Sequence, residues 1–395
     1  MVEKSKSGQL YLDFEEYKKV SEPDKREKAT YWRTAIGLQD VDGLKVSEYL
    51  KQTAVRHIEG DISIDEVRDE LRNYYNSKTA HDNDDEDTAE ADKVAANITK
   101  ILSEKSFSLA PYELLNIHRR IFEGVFKHAG EIRTYDITKK EWVLRGDTVT
   151  YGRAEDIMMA IKYDIEEERN FNYAGLSPEE IIDHLAVFVY LLWQNHPFRE
   201  GNTRTTAVFL IKYLCSCGFD VNNDLFESNS WYFRNALVRA NYNNPMKGGP
   251  RNRSFLIRFL QNLLMGEHHE LKNRYMLIGD AESSTHASTH TSKDENTHIS
   301  TRTSTGNILL PKSENVRILV SALGSAEMNV KEMMNAVGLK NRPNFMDYSL
   351  TPAITEGYIR MLYPDSPRHP RQRYLLTVKG TMVYSQMQKL QEDKR

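Results

Sequence analysis

His196-Pro197-Phe198-Arg199-Glu200-Gly201-Asn202-Thr203-Arg204 lies between two apolar stretches of the chain. Upstream, Ile181, Leu185, Phe188 and Leu192 recur at helical spacing, so a buried helix runs up to Asn195. Pro197 disfavours helix at His196, while Gly201 and Asn202 open a new helix that continues through Phe209 and Leu214. The run is therefore a loop pinned between two helices, with Phe198 expected to bury its ring and hold the loop down. A loop at a helix N-terminus collects unpaired N–H groups and the positive end of the helix dipole, and phosphate is its natural guest. Arg204 adds a planar fork for phosphate oxygens. Glu200 is a carboxylate of the kind that holds Mg²⁺ (or Mn²⁺) beside nucleotide phosphates, and His196 can take a proton from an attacking hydroxyl near neutral pH.

Outward from this loop the chain reads as a mainly α protein. Segments 88–106, 110–128, 153–171, 177–195, 201–217, 229–242 and 251–265 carry apolar residues at helical spacing. The interruption is Arg133 to Gly152, where β-branched and aromatic residues flank Gly146-Asp147 and predict one β-hairpin. At least three short helices precede this body, the last from about Ile64 to Tyr75. After Asn307 the pattern predicts helices near 313–323, 329–337 and 342–356, then two strands around the Pro-rich loop 364–370, which is the order of a winged helix. Two stretches read as unpacked: the acidic run His81 to Asp87, and the Ser/Thr/His-rich Glu282 to Thr305. The expected organisation is an N-terminal helical segment over 1–80, a catalytic body over 88–275, a flexible linker over 280–305 and a winged-helix unit over 306–395.

Composition narrows the function classes. The longest apolar stretch, Leu185 to Trp193, falls short of a membrane span, and Met1-Val-Glu-Lys-Ser5 lacks the apolar run of a signal peptide. A cytoplasmic location without a membrane partner is expected. The net charge of −4 is split unevenly: 13 Lys and Arg against 8 acids from Gly306 onward give +5 there and −9 elsewhere. Arg360, Arg368, His369, Arg371 and Arg373 gather on the presumed strands and wing, where cations suit DNA phosphates.

The run from His196 to Arg204 resembles the signature of Fic (Fido) proteins, His-x-Phe-x-Asp/Glu-Gly-Asn-Gly/Lys-Arg-x-x-Arg. Ile117-His-Arg-Arg-Ile-Phe122 with Ala129-Gly-Glu-Ile-Arg133 resembles the helix and turn leading into the family's hairpin, the flap. Ala236-Leu237 followed by Ala240-Asn241 is similar to a family helix lining the adenine pocket. The resemblance, over about residues 90–265, implies a Fic-type helical bundle with a hairpin flap. It implies a protein adenylyltransferase that moves AMP from ATP to a Ser, Thr or Tyr hydroxyl of a target protein or of itself. His196 would then be the general base, Glu200 the Mg²⁺ ligand, and Asn202 with Arg204 the phosphate holders. Gly201 and Thr203 would offer backbone N–H groups, Asn241 would belong to the nucleotide site, and a target segment would pair with the flap at 133–151.

The sequence also departs from that pattern. Thr203 stands where the family usually has Gly, and Ala207 where it has the second Arg. Residues 26–76 resemble the small antitoxin of Fic toxin pairs, fused in cis, which makes Asp42 (before Gly43) or Glu59 (before Gly60) the candidate inhibitory acid. Neither fits the inhibitory motif completely. Two other functions stay open: transfer of another phosphate-linked group, and a nucleotide-sensing regulator that binds DNA through 306–395.

Overall fold

The structure, a computed structural model of the full chain, describes residues 23–77, 86–221, 225–279 and 310–392. The Ser/Thr/His-rich stretch and most of the acidic run lie outside the described residues, but Glu86 and Asp87 open a helix rather than continue a loop.

The chain begins with α1 (Pro23–Gly37), a 3₁₀ turn over Leu38–Asp42, α2 (Glu48–Glu59) and α3 (Ile64–Asn76). The body follows as α4 (Glu86–Ser103), α5 (Pro111–Ile121), α6 (Ile157–Asn170), α7 (Pro178–Gln194), α8 (Asn202–Ser216), α9 (Leu225–Asn241, bent at Asn229) and α10 (Ser254–Met265). The helices start where the sequence offers caps. Ser63 with Glu66, and Ser177 with Glu180, form reciprocal capping boxes, each satisfying two otherwise orphaned N–H groups. α8 is the central element, since every side chain from Asn202 to Leu214 is buried. Helices α4, α5 and α7 and the Leu38–Asp42 turn pack around it.

The N-terminal helices share this core. Trp32, Leu38, Leu50 and Val67 belong to the same buried cluster as Phe198 and Leu237. Polar pins fix the seam: Ser47 donates its N–H to Asp92 at 2.8 Å, Tyr75 donates to Asp92 at 2.7 Å, and Ser230 donates to the Gly37 carbonyl at 2.7 Å. The segment resembling an antitoxin is thus built into the body.

The expected hairpin at 133–152 is a loop. Among the described residues no ladder joins its arms, and a 3₁₀ turn over Trp142–Leu144 occupies its tip. Long-range bonds outcompete the ladder. At the tip, Arg145 donates to the Ile278 carbonyl at 2.7 Å and Asp147 accepts from both Tyr242 (2.7 Å) and Lys247 (2.8 Å). At the base, Arg133 draws in backbone carbonyls from the motif loop.

A second core forms around Val316, Leu319, Phe345, Leu350 and Ile359. Its elements are α11 (Glu314–Leu323), α12 (Val330–Ala336), α13 (Arg342–Phe345) running through a π turn at Met346–Leu350 into α14 (Thr351–Thr355), β1 (Ile359–Met361) and β2 (Tyr374–Leu376). The strands pair antiparallel with Arg360 opposite Leu375, and Met328 bridges to Tyr374. The three helical stretches followed by two strands match the element order that the sequence predicts. A final helix, α15 (Val378–Glu392), is unexpected. It joins the two cores, with Met382 in the first and Val383 in the second. Among the described residues no helix is long and apolar enough to cross a membrane.

At this junction two backbones nearly touch. A methyl group on Gly218 would overlap the Gly357 carbonyl and the Thr377 hydroxyl, and Gly218 has φ +91°. Gly60 has the same φ with open space around it, which separates strain from collision. Gly218→Ala is expected to lower stability in urea by about 2 kcal/mol more than Gly60→Ala, with faster amide exchange along α15. Equal losses would show that the junction tolerates a methyl.

Candidate active site at the α7–α8 loop

The loop between α7 and α8 is held by side chains from elsewhere. His118 on α5 accepts a hydrogen bond from the Gly130 N–H at 2.8 Å, so its other nitrogen carries the proton and donates to the Glu200 carbonyl at 3.2 Å. Its ring stacks on Phe198 at 3.7 Å between centroids. Burial pushes the His118 imidazole down to about 3, which keeps it in this neutral form. Arg133 donates to the carbonyls of His196 (2.8 Å), Asn195 (3.3 Å), Tyr135 (2.6 Å) and Gly152, and accepts nothing in return. Its own N–H bonds the Pro197 carbonyl at 2.9 Å. Gly201 is required: it sits at φ +71°, and a methyl there would overlap the Phe122 ring.

Within this frame His196 is buried, with φ +45°, a left-handed conformation uncommon for a side-chain-bearing residue. Its Nδ1 lies 3.3 Å from the Trp193 carbonyl. A carbonyl only accepts, so Nδ1 bears the hydrogen and Nε2 keeps the basic lone pair. Burial holds its pKa well below the ordinary imidazole value, and the cations Lys139, Arg234 and Arg133 push the same way against the Trp193 carbonyl. His196 is consequently neutral at pH 7. Tyr151 packs against it at 4.3 Å, donates to Glu141 at 2.9 Å, and Glu141 pairs with Arg234 on α9 at 2.8 Å.

The other motif residues divide into frame and cradle. Phe198 is buried as expected. Asn202 closes the turn, accepting from the Phe198 N–H at 2.9 Å and donating to the Phe198 carbonyl at 2.7 Å, so its amide is engaged by the loop. The Thr203 hydroxyl accepts from the Trp193 indole at 3.0 Å, which explains how a β-branched residue fits where glycine is usual. Glu200 is exposed at the rim. Asn241 donates to the Tyr190 carbonyl at 2.9 Å and is buried, with its own carbonyl oxygen unpartnered among the described residues.

Arg204 is engaged by side chains from two other elements. It donates to Gln39 at 3.1 Å and to Glu90 at 2.7 Å, and its guanidinium lies 4.8 Å from the Phe122 ring centre. The Asp42 carboxylate stands 2.7 Å from its Nε as an ion pair, without the alignment of a hydrogen bond. Of the two candidate inhibitory acids, Asp42 therefore reaches the motif. Glu59 pairs with Lys25 at 2.8 Å at the surface.

Among the described residues no group of three His, Cys, Asp or Glu side chains is placed to hold a metal unaided. A lone rim carboxylate fits Mg²⁺ that arrives on phosphates, a cation that keeps several waters and takes one or two protein oxygens. The residues sequence reasoning passed over are Gln39, Glu90, His118, Lys139, Glu141 and Arg234. Only His118 left a local signal, as a histidine on the apolar face of α5.

Comparison with known proteins agrees with this loop. Residues 108–214 match the family model for the Fic/DOC family, and residues 314–377 match that for the filamentation induced by cAMP protein Fic-like, C-terminal domain. The probable protein adenylyltransferase Fic of Escherichia coli K12 is 27% identical over 120 residues, covering 30% of this chain and 56% of that protein. The protein adenylyltransferase VbhT of Bartonella schoenbuchensis is 28% identical over 111 residues (28% and 22%). The probable protein adenylyltransferase Fic of Salmonella typhimurium is 29% identical over 108 residues (27% and 50%). The match thus spans about half or less of these relatives. A solved Fic family protein from Desulfovibrio desulfuricans G20 aligns over 93% of this chain and 91% of its own at 17% identity and TM-score 0.38.

His57, His118 and His196 are all kept neutral by burial, His57 at about 4 and His118 at about 3. In the unfolded chain an imidazole protonates near pH 6.5, so below that pH the unfolded state binds more protons and stability falls. The slope is at most about 1.4 kcal/mol per pH unit for each group, and it begins before carboxylates titrate. The urea midpoint should drop between pH 6.5 and 5, less steeply in His57→Gln. A flat midpoint across that window would show that these rings are solvated.

Proposed function

We propose that this Fic-domain protein is a protein adenylyltransferase that moves AMP from ATP to a Ser, Thr or Tyr hydroxyl of a protein substrate or of itself. The observation that carries this is His196: a neutral imidazole, fixed with Nε2 as its basic nitrogen, next to a helix N-terminus that gathers N–H donors. In that reaction the hydroxyl oxygen bonds the α-phosphorus, the bond to the bridging oxygen breaks, pyrophosphate leaves, and the hydroxyl proton goes to His196 Nε2. Backbone donors at Gly201 to Thr203 and the Arg204 guanidinium stabilise charge on the phosphates. Mg²⁺ held by Glu200 would supply Lewis-acid stabilisation there.

The target is expected to lie along the arm from Thr134 to Lys140. Ile137, Lys139 and Glu141 turn inward and Thr138 and Lys140 outward, the alternation of an extended strand, and no ladder bond within the chain uses this arm. Asp42, Glu90 and Gln39 hold the guanidinium that phosphate needs, which supports a restrained resting state. With ATP radiolabelled on the α-phosphate, self-labelling should vanish in His196→Ala. It should rise roughly tenfold in Asp42→Gly, the worth of one charge-assisted contact, and stay unchanged in Glu59→Gln. Label in His196→Ala equal to the parent would end the adenylyltransferase reading.

One observation favours a second activity beside it. Arg360, Arg368 and Arg371 are exposed on β1 and the wing and form no ion pair among the described residues. Such cations suit DNA phosphates, and binding through them would weaken steeply with salt. A mobility shift that ignores salt, or that survives Arg368→Ala with Arg371→Ala, would remove DNA as a partner.

A further inference from the structure

We infer that Lys139, on the inner face of the 133–152 loop, is the residue that receives the terminal phosphates of the nucleotide. The inference rests on the reading above, in which a nucleoside triphosphate occupies the α8 N-terminus.

The charge around that N-terminus is the starting point. Arg204 already carries two carboxylates, Asp42 and Glu90, and Glu200 stands at the rim. The site as built is therefore acidic, while its ligand is a polyanion. Position 207, the next inward turn of α8, is a fully buried alanine and contributes no cation. Helix N–H groups alone are worth a fraction of an elementary charge. Even with Mg²⁺ at Glu200, a further positive group would favour the phosphates.

Three cations border His196: Arg133 on its carbonyl, Arg234 linked to it through Glu141 and Tyr151, and Lys139 on the arm that carries Glu141. Arg133 is committed, with its donors on four backbone carbonyls. Arg234 is committed as well, paired with buried Glu141 at 2.8 Å and lying 5.0 Å from the Trp231 ring centre. Lys139 makes no hydrogen bond or ion pair among the described residues. It is half-buried and lies two residues before Glu141, so in an extended arm both side chains share the face turned to Tyr151 and His196. Burial lowers its pKa and Arg234 adds to that, while the carboxylates of Asp42, Glu141 and Glu200 oppose it. A half-buried ammonium with no partner of its own is poised for an anion. The 133–152 loop is anchored at tip and base, so this ammonium is delivered by a fixed support.

The test uses the full chain carrying Asp42→Gly, which removes one of the two carboxylates on Arg204, and isothermal titration with sodium tripolyphosphate, ATP and AMP. Lys139→Met should weaken tripolyphosphate and ATP roughly tenfold, and leave AMP, which lacks the terminal phosphates, unchanged. Lys139→Arg should restore binding to within about threefold. Equal affinities in Lys139→Met and its parent, equal loss for ATP and AMP, or no tripolyphosphate binding by the parent would each overturn the inference. So would a variant that binds ATP normally yet labels poorly, which would assign Lys139 to the target. Failure of the enzymatic reading has a different signature, since ATP would bind through Lys139 with no AMP transferred.

Discussion

The carbonyl groups of Asn195, His196 and Gly152 converge on one guanidinium, that of Arg133, and the rest of the site depends on this convergence. A chain leaving α7 at Asn195 and entering α8 at Asn202 has no secondary structure of its own to satisfy these groups, and buried carbonyls without donors are costly. Arg133 supplies the donors and at once ties the 133–152 loop to the motif. The same clamp carries the strained backbone of His196, whose left-handed φ costs on the order of 1 kcal/mol and is tolerated because the surroundings over-determine it. His118 completes the frame from the opposite side, stacked on Phe198 and bonded to the Glu200 carbonyl. On the proposed function, a base held this firmly, with Nε2 unprotonated, would be prepared before any substrate arrives.

How much of this was legible in the sequence follows from distance along the chain. The helices of the body could be read because their apolar spacing and capping residues are local, as at Ser177 and Glu180. The motif could be read for the same reason, its members being neighbours. The 133–152 segment misled: Trp142 to Tyr151 has strand composition, but its fate is set by Tyr242, Lys247 and Ile278, about a hundred residues away. Asn202 is a different case. Its position within the motif is conspicuous, yet its amide is bound to the turn it begins. The partners of Arg204 come from the Leu38–Asp42 turn and from α4, and nothing local to Gln39 or Glu90 distinguishes them from surface residues. α15 went unread because its apolar residues are sparse, and only the meeting of two cores gives Met382 and Val383 their burial.

Two carboxylates on one buried guanidinium are an uneasy arrangement. Removing charges from water is recovered only when geometry and additional bonds are good, and here one of the contacts, Asp42 to Nε, lacks hydrogen-bond alignment. A cluster with a surplus negative charge is stable enough to persist and strained enough to be displaced. The turn that brings Asp42 is itself short, closed by Gly43 at φ +73°, so an exchange of Asp42 for a phosphate oxygen could be made by moving a few residues. Gln39, by contrast, is fully buried in the same turn and also donates to the Ala35 carbonyl at 2.8 Å. The turn therefore has a fixed half and a yielding half. On the proposed function Arg204 would never stand unpaired: it would pass from protein carboxylate to phosphate while Gln39 and Phe122 keep its plane. The acids that restrain the site and the cation that faces them from the 133–152 loop then belong to one balance of charge, set on two elements that share no sequence neighbourhood.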